Sequence, residues 1–378
     1  MNNKNIPLYM QIIEYLKEKI YSNELKSGDP LPTEAELAEM FDVSRITSNR
    51  AFVELEREGL IYRIRGSGSF VADQKKENNN IEISGKKILG LVLPFDSSRG
   101  RLIDTIEGAV EYLSKYGYYL SVHNAKGDHN KERNIIEKLV DENFLGIIYY
   151  PDFNNKNLDL INRLYVEKFP IVTIDKYYDS IPISYVISDN FKGGYIAAEH
   201  LIDLGHSNIA FVSGVKLNKK MSIRDRYFGF YKAINEKDIE INDKIHRYFF
   251  KKEFSEFNGE SFTNSKDFKN KIKKFINKLI SLGVTGIILE NDYLAISIQK
   301  ICDVMGIYPA NLSIVGFDNL FISSKVNIPL TTVEQKFRQI GKNAAEILVK
   351  SIEQKKYNYK QVTTPVELIS RESTAVCE

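Results

Sequence analysis

PTEAELAEMFDVSRITSNRAFVELEREGLIYRIRGSGSFV, residues 32–71, decides the fold of the first part of this chain. Thr33 and Glu36 have the spacing of a capping box, in which each side chain satisfies an orphan backbone N–H at a helix start. Leu37, Met40 and Phe41 then recur as one apolar face. Asp42-Val43 reads as a turn, and Ser44 is a good N-cap for a second helix. Phe52 and Leu55, with Ala51 and the stem of Glu58, face a small core, and Gly59 ends the helix. Leu60 to Ile64 is strand-like, Arg65-Gly66-Ser67-Gly68 is a turn, and Ser69 to Ala72 returns as a second strand. A helix followed by such a hairpin fits the DNA major groove, and the hairpin tip can reach the neighbouring minor groove.

Working outward, Ile6-Pro7-Leu8-Tyr9 opens an earlier helix with Pro near its first turn. Ile12, Ile13, Leu16 and Ile20 follow at helical spacing. Residues 5–72 therefore read as a three-helix core with a wing, the layout of a winged helix-turn-helix. Pro7-Leu8-Tyr9, Ser27 to Glu34, Val43-Ser44-Arg45, Leu55 to Leu60 and Gly66-x-Gly68-x-Phe70-Val71 together resemble the GntR family of bacterial transcription regulators. The resemblance implies base and phosphate contacts at the start of the recognition helix and a minor-groove contact at the wing tip. By match, these fall on Arg45, Thr47, Arg65 and Gly66. The chain departs from the family at Ala35, at Ser48 and at Asn49, where Arg is usual. Asn can read adenine bidentately, so an operator shifted towards A·T is expected, with Asn49 a base reader and Arg50 a phosphate contact or a surface charge.

Charge alone would not reveal this head. Residues 1–76 carry 11 Lys/Arg against 12 Asp/Glu, although Arg45, Arg50, Arg63 and Arg65 gather on the helix start and wing. Such a balance puts the weight on specific contacts rather than on non-specific attraction to phosphate. The whole chain has 378 residues and a formal net charge of +2, which suits two or three domains and argues against a purely electrostatic partner. Cys302 and Cys377 have no paired spacing, so neither a disulfide framework nor a zinc site is indicated. The polar N-terminus lacks the apolar segment of a signal peptide, and no apolar stretch is long enough to span a bilayer. A cytoplasmic protein is expected. Asp73 to Gly85, with Asn78 to Asn80 at its centre, is too polar to fold alone and reads as a linker.

From Lys86 onward strand-like and helical segments alternate, from Ile88 to Leu93 through to Leu312 to Phe317. Repeated β-α units give parallel sheets covered by helices. The length exceeds one small sheet, so two lobes are expected, with ligand at the carboxyl ends of the strands. Those ends carry Asp96 and Arg101, Asp175, Asp189-Asn190, Asp292 and Asp318. Phe95, Tyr150, Phe191, Phe317 and Phe321 lie nearby. Acids, Arg and aromatics together suit a polyhydroxylated ligand, whose hydroxyls accept from Arg and donate to carboxylates while rings cover its C–H face.

Ser188-Asp189-Asn190-x-x-Gly193-Gly194, Arg226-Tyr227-Phe228-Gly229-Phe230, Asn291 to Ala295, Ser313 to Asp318 and Leu330 to Val333 resemble the LacI/GalR effector domain, over about residues 86–375. The resemblance implies that Arg226 and Asp292 hold sugar hydroxyls. The expected sugar set is Phe95, Asp96, Arg101, Asp175, Arg226, Asp292 and Asp318. The expected fold class is an α/β two-lobed periplasmic-binding-protein-like effector domain with an N-terminal winged helix-turn-helix domain: head 1–72, linker 73–85, body 86–378. A GntR-type head on a LacI-type body resembles the family of arabinose-responsive repressors of Gram-positive bacteria. That likeness implies release from DNA by a small sugar, L-arabinose first among candidates. One winged domain buries too little surface for specific affinity, so a homodimer through the large domain on a palindromic double-stranded operator is expected. No cofactor, metal or membrane is expected, and no enzyme activity. His200 and His206 read as structural, and Gly66-Ser67-Gly68 lacks the strand-to-helix setting of a phosphate loop. A sugar receptor without a transcriptional role, another sugar or sugar derivative as effector, and a pyridoxal-phosphate-type regulator are the competing readings. The winged head and missing export signal count against the first, and the length of the body and the lack of a Schiff-base Lys motif against the last.

Overall fold

The computed structural model describes residues 7–22, 24–57, 60–64, 68–72, 86–94, 101–151, 156–214, 216–237, 248–250, 266–307, 309 and 311–377. The chain divides into two compact units, Met1–Lys86 and Lys87–Glu378. The expected linker lies outside the described residues.

The first unit holds helices α1 (Leu8–Tyr21), α2 (Glu34–Met40) and α3 (Arg45–Arg57) and an antiparallel pair, β1 (Ile61–Ile64) and β2 (Gly68–Val71). The capping box forms: Thr33 N donates to Glu36 Oε2 at 2.7 Å, and Glu36 N to Thr33 Oγ1 at 3.2 Å. Those donors hold the Glu36 carboxyl below its usual range. Asp42 makes the turn in a left-handed conformation, φ 51°, which a short acidic side chain tolerates. Ile12, Leu16, Leu37, Ala51, Phe52 and Leu55 form the core. Met40, expected on the buried face, is 56% exposed because α2 ends there and Phe41 takes its place against Tyr15.

The second unit contains two six-stranded sheets, ordered β13-β7-β6-β5-β3-β4 and β14-β12-β11-β10-β8-β9. Every pairing is parallel except β12 with β14. In the first lobe β3 is Lys87–Leu93, β4 Tyr118–Asn124, β5 Ile147–Tyr149, β6 Ile171–Ile174, β7 Ser184–Ser188 and β13 Gln361–Thr364. In the second, β8 is Ile209–Ser213, β9 Tyr248–Phe250, β10 Gly286–Leu289, β11 Ser313–Asp318, β12 Thr331–Gln335 and β14 Val366–Ile369. The central strands β5, β6, β8 and β10 are buried along their whole length and rich in Ile, Val and Leu, as strands covered on both faces are.

The chain passes between lobes at three places: after β7, after β12 and between β13 and β14. The passages are stitched side by side. Asp189 N donates to Thr364 O at 2.9 Å, and Ser188 Oγ to Gln335 Oε1 at 2.5 Å. Each lobe also contains a helix pair in backbone contact. A Cβ on Gly194 would stand 1.8 Å from Arg226 O, and one on Gly229 would stand 1.9 Å from Phe191 O. The helices Asn190–Asp203 and Met221–Glu236 are thereby brought close enough for Arg226 to reach Asn190.

Candidate functional site

The reading helix α3 starts from Ser44, whose hydroxyl accepts from Thr47 N at 3.2 Å and lies 2.9 Å from Thr47 Oγ1. Arg45 is exposed and makes no side-chain hydrogen bond or ion pair among the described residues. Ser48 is fully buried and donates to Glu34 O at 2.7 Å and Arg45 O at 3.1 Å. Its hydroxyl therefore ties α3 to α2, which gives this departure from the family pattern a structural reason. Arg50 lies over the Tyr9 ring at 4.1 Å, a cation–π contact that leaves its outer edge open. Arg65 and Gly66 fall outside the described residues.

Asn49 differs from the expectation. Arg63 of β1 donates Nη1 and Nη2 to Asn49 Oδ1, each at 3.2 Å. The amide oxygen is already engaged, so a bidentate grip on adenine, which needs that oxygen, is not available in this conformation.

In the body, Arg226 is 4% exposed and lies 3.5 Å from the centroid of the Phe317 ring. Its Nε donates to Asn190 Oδ1 at 2.9 Å, its Nη1 to Glu290 O at 2.5 Å, and its Nη2 stands 4.0 Å from Asp318 Oδ1. Gln335 Nε2 donates to Asp318 Oδ1 at 2.5 Å. Gln335 thus joins the end of β11 to the passage between lobes. From the first lobe, Tyr150 donates its hydroxyl to Asp175 Oδ2 at 2.6 Å. Burial and the neighbouring Asp175 push the Tyr150 hydroxyl well above its ordinary range, so it remains a donor. Burial pushes the Asp318 carboxyl up to about 7, against the pull of Arg226. Asp175, Asp318 and Asn319 have φ of 63°, 117° and 51°, so backbone strain gathers at these strand ends, as it does at ligand sites.

The structure therefore brings Arg226, Asp318 and Asp175 into one electrostatic group. It sets two expected residues apart. Asp292 is fully buried, with Oδ1 accepting from Thr332 Oγ1 at 2.6 Å and Oδ2 from Leu320 N at 2.8 Å and Ser323 Oγ at 2.5 Å. Burial pushes its carboxyl up to about 6. Its carboxylate holds the Leu320–Ser323 turn, with both oxygens engaged by protein donors. Arg101 reaches from the first lobe to Asn319 O at 3.3 Å and Glu334 Oε1 at 3.4 Å, and also pairs with Asp104. It is a link between lobes. Phe95 and Asp96 lie outside the described residues. Phe317 is covered by Arg226, while Phe191 and Phe321 are surface rings, 41% and 79% exposed. Gln335 and Glu290 were missed in the sequence, because nothing local marks them. His200 and His206 bond Thr374 and Thr285 at 2.9 Å each, a structural use.

Residues 8–71 match the model of bacterial regulatory proteins of the gntR family. Residues 86–245 match that of periplasmic binding proteins and the sugar binding domain of the LacI family, and residues 198–374 a periplasmic binding protein-like domain. The chain joins a GntR-family head to a LacI-type body. Two relatives resemble it over nearly its full length. The arabinose metabolism transcriptional repressor of Halalkalibacterium halodurans is 29% identical over 97% of this chain and 96% of its own. That of Geobacillus stearothermophilus is 29% identical over 99% of each. Among solved structures, a LacI family regulator from Enterococcus faecium with bound ribose covers 77% of this chain and 100% of its own, at 23% identity and a TM-score of 0.61. A regulator from Alkaliphilus metalliredigens complexed with D-xylulofuranose covers 76% and 99%, at 26% identity and a TM-score of 0.57. These likenesses cover the LacI-type body and agree with its two sheets.

Proposed function

We propose that this protein is a transcription repressor that binds a palindromic operator as a homodimer through its GntR-type head and is released by a small sugar, L-arabinose being the first candidate. It is not an enzyme, and it acts in the cytoplasm with the DNA it regulates. The observation that carries the reading is Gln335, which accepts from Ser188 at the passage between lobes and donates to Asp318 in the sugar site. A sugar held by Arg226 and Asp318 from one lobe and by Asp175 or Tyr150 from the other favours the closed arrangement. Only such differential affinity moves a two-state equilibrium. In the head, Arg45, Thr47 and Arg50 supply base and phosphate contacts, and two symmetric half-sites multiply the affinity of one small domain. The sugars bound in the two related structures and the names of the full-length relatives support a pentose.

The test is sugar affinity by calorimetry across a panel, with and without operator. Linkage requires sugar and DNA to weaken each other by the same factor, typically about 5–150-fold. Equal affinities in the two states reject allosteric control, and tighter sugar binding on DNA makes the sugar a corepressor.

A further inference from the structure

The recognition helix exposes an apolar side chain beside an amide that can only donate. Ile46 is 82% exposed, whereas Ala51, Phe52 and Leu55 of the same helix are fully buried. Three residues on, and so on the same face, stands Asn49. Its oxygen accepts from both terminal nitrogens of Arg63, and Arg63 Nη2 also reaches Asn49 O at 3.5 Å. Arg63 is itself pinned, 3.4 Å from Glu34 and 3.5 Å from Glu56, with its guanidinium 5.4 Å from the Phe52 ring centroid. With the oxygen taken, the amide shows DNA two N–H donors. In the major groove adenine asks for a donor and an acceptor together, guanine and thymine ask for donors, and thymine alone adds a methyl group.

Building on the DNA-binding reading above, we propose that Ile46 and Asn49 form a thymine-reading pair: Ile46 packs on the C5 methyl, and the Asn49 amide donates to O4. The pair sets base preference, while Arg45 and Arg50 supply affinity. Arg63 acts through Asn49 as a positioning residue.

The experiment uses the full chain. Operators are selected from random duplexes, and each thymine of the enriched half-site is then replaced singly by uracil, which removes only the methyl. At one thymine of each half-site, uracil should weaken wild-type binding by roughly fivefold, near the lower end of single base-contact effects. In Ile46→Ala, which removes a surface side chain, thymine and uracil should bind alike at that position. In Arg63→Met, with the amide oxygen released, preference at that position should shift towards adenine. The pair is overturned if no thymine is sensitive to uracil, if the methyl effect survives in Ile46→Ala, or if Arg63→Met leaves the preference unchanged. Selection that enriches no sequence overturns the DNA-binding reading and this assignment together.

Discussion

The head and the body place their candidate functional groups in opposite ways. On α3 the group expected to meet DNA, Arg45, is exposed and has no side-chain partner among the described residues. In the body Arg226 is buried, and its contacts run to Asn190, Glu290, Phe317 and Asp318. A phosphate backbone is large, outside and charged, so a solvated guanidinium can wait for it. A small neutral sugar offers little charge, so its site must already be dry and oriented. The lesson is that function and stability separate in the head and are entangled in the body.

The strongest challenge to that contrast is Asp292→Ala. Three donors, from Thr332, Leu320 and Ser323, would lose their acceptor inside the protein. Each orphaned buried donor costs about 1–3 kcal/mol, partly relieved by relaxation, so a loss of about 2–4 kcal/mol is expected in urea denaturation. A variant as stable as wild type would show that this carboxylate does not hold the Leu320–Ser323 turn in place. Next comes Arg226→Met, which keeps a stem over Phe317 but removes every charged contact. Sugar binding should disappear in calorimetry, with roughly 1–2 kcal/mol of stability lost as Asn190 and Glu290 lose a donor. Retained sugar affinity would remove Arg226 from the site.

The sequence shows the head better than the body because its signals are local. The capping box at Thr33 and Glu36, the turn at Asp42-Val43 and the cap at Ser44 each act within four residues, and the structure contains all three. Strands such as Ile209–Ser213 and Gly286–Leu289 are equally plain apolar runs. The alternation read from the sequence ends at Phe317, before the second and third passages between lobes. Strand Gln361–Thr364 pairs with Tyr185–Ser188 far away in the chain, and no periodicity in QVTT foretells it. The helix Phe337–Gln354 has an apolar stripe, yet its lobe is fixed by Gly341 lying against Thr105 O. The fate of the acids follows the same logic. Asp292 and Asp318 both stand at the carboxyl ends of strands, and only the distant turn Leu320–Ser323 decides that one is enclosed and the other borders the site.

In the head, Arg45→Ala should leave stability within about 0.5 kcal/mol, as for surface substitutions away from special features. Operator affinity should fall by about 1–3 kcal/mol per subunit in gel shifts, with sugar affinity unchanged. A comparable loss of stability would mean that function and folding are as entangled here as in the body.

The smallest expected effect on binding is a pH dependence that sets the two halves of the body's compromise against each other. Burial raises the Asp318 carboxyl to about 7, against about 3.9 in an unfolded chain. Between those values the native state holds a proton that the unfolded state has released, so this group's contribution to stability declines as pH rises through the window. Sugar binding should run the other way. Hydroxyls donate to an ionised carboxylate, and a protonated one keeps part of its acceptor capacity. Affinity should therefore fall by a few-fold, below the roughly tenfold limit for binding the ionised form alone, as pH drops from 8 to 6. Asp318→Asn removes the titration, which should flatten the sugar profile and raise the melting temperature at pH 8 while leaving it nearly unchanged at pH 4. Calorimetry and thermal melts across that range decide the matter. Slopes of the same sign in the wild type, or a pH-dependent sugar affinity that persists in Asp318→Asn, would show that another group controls the site.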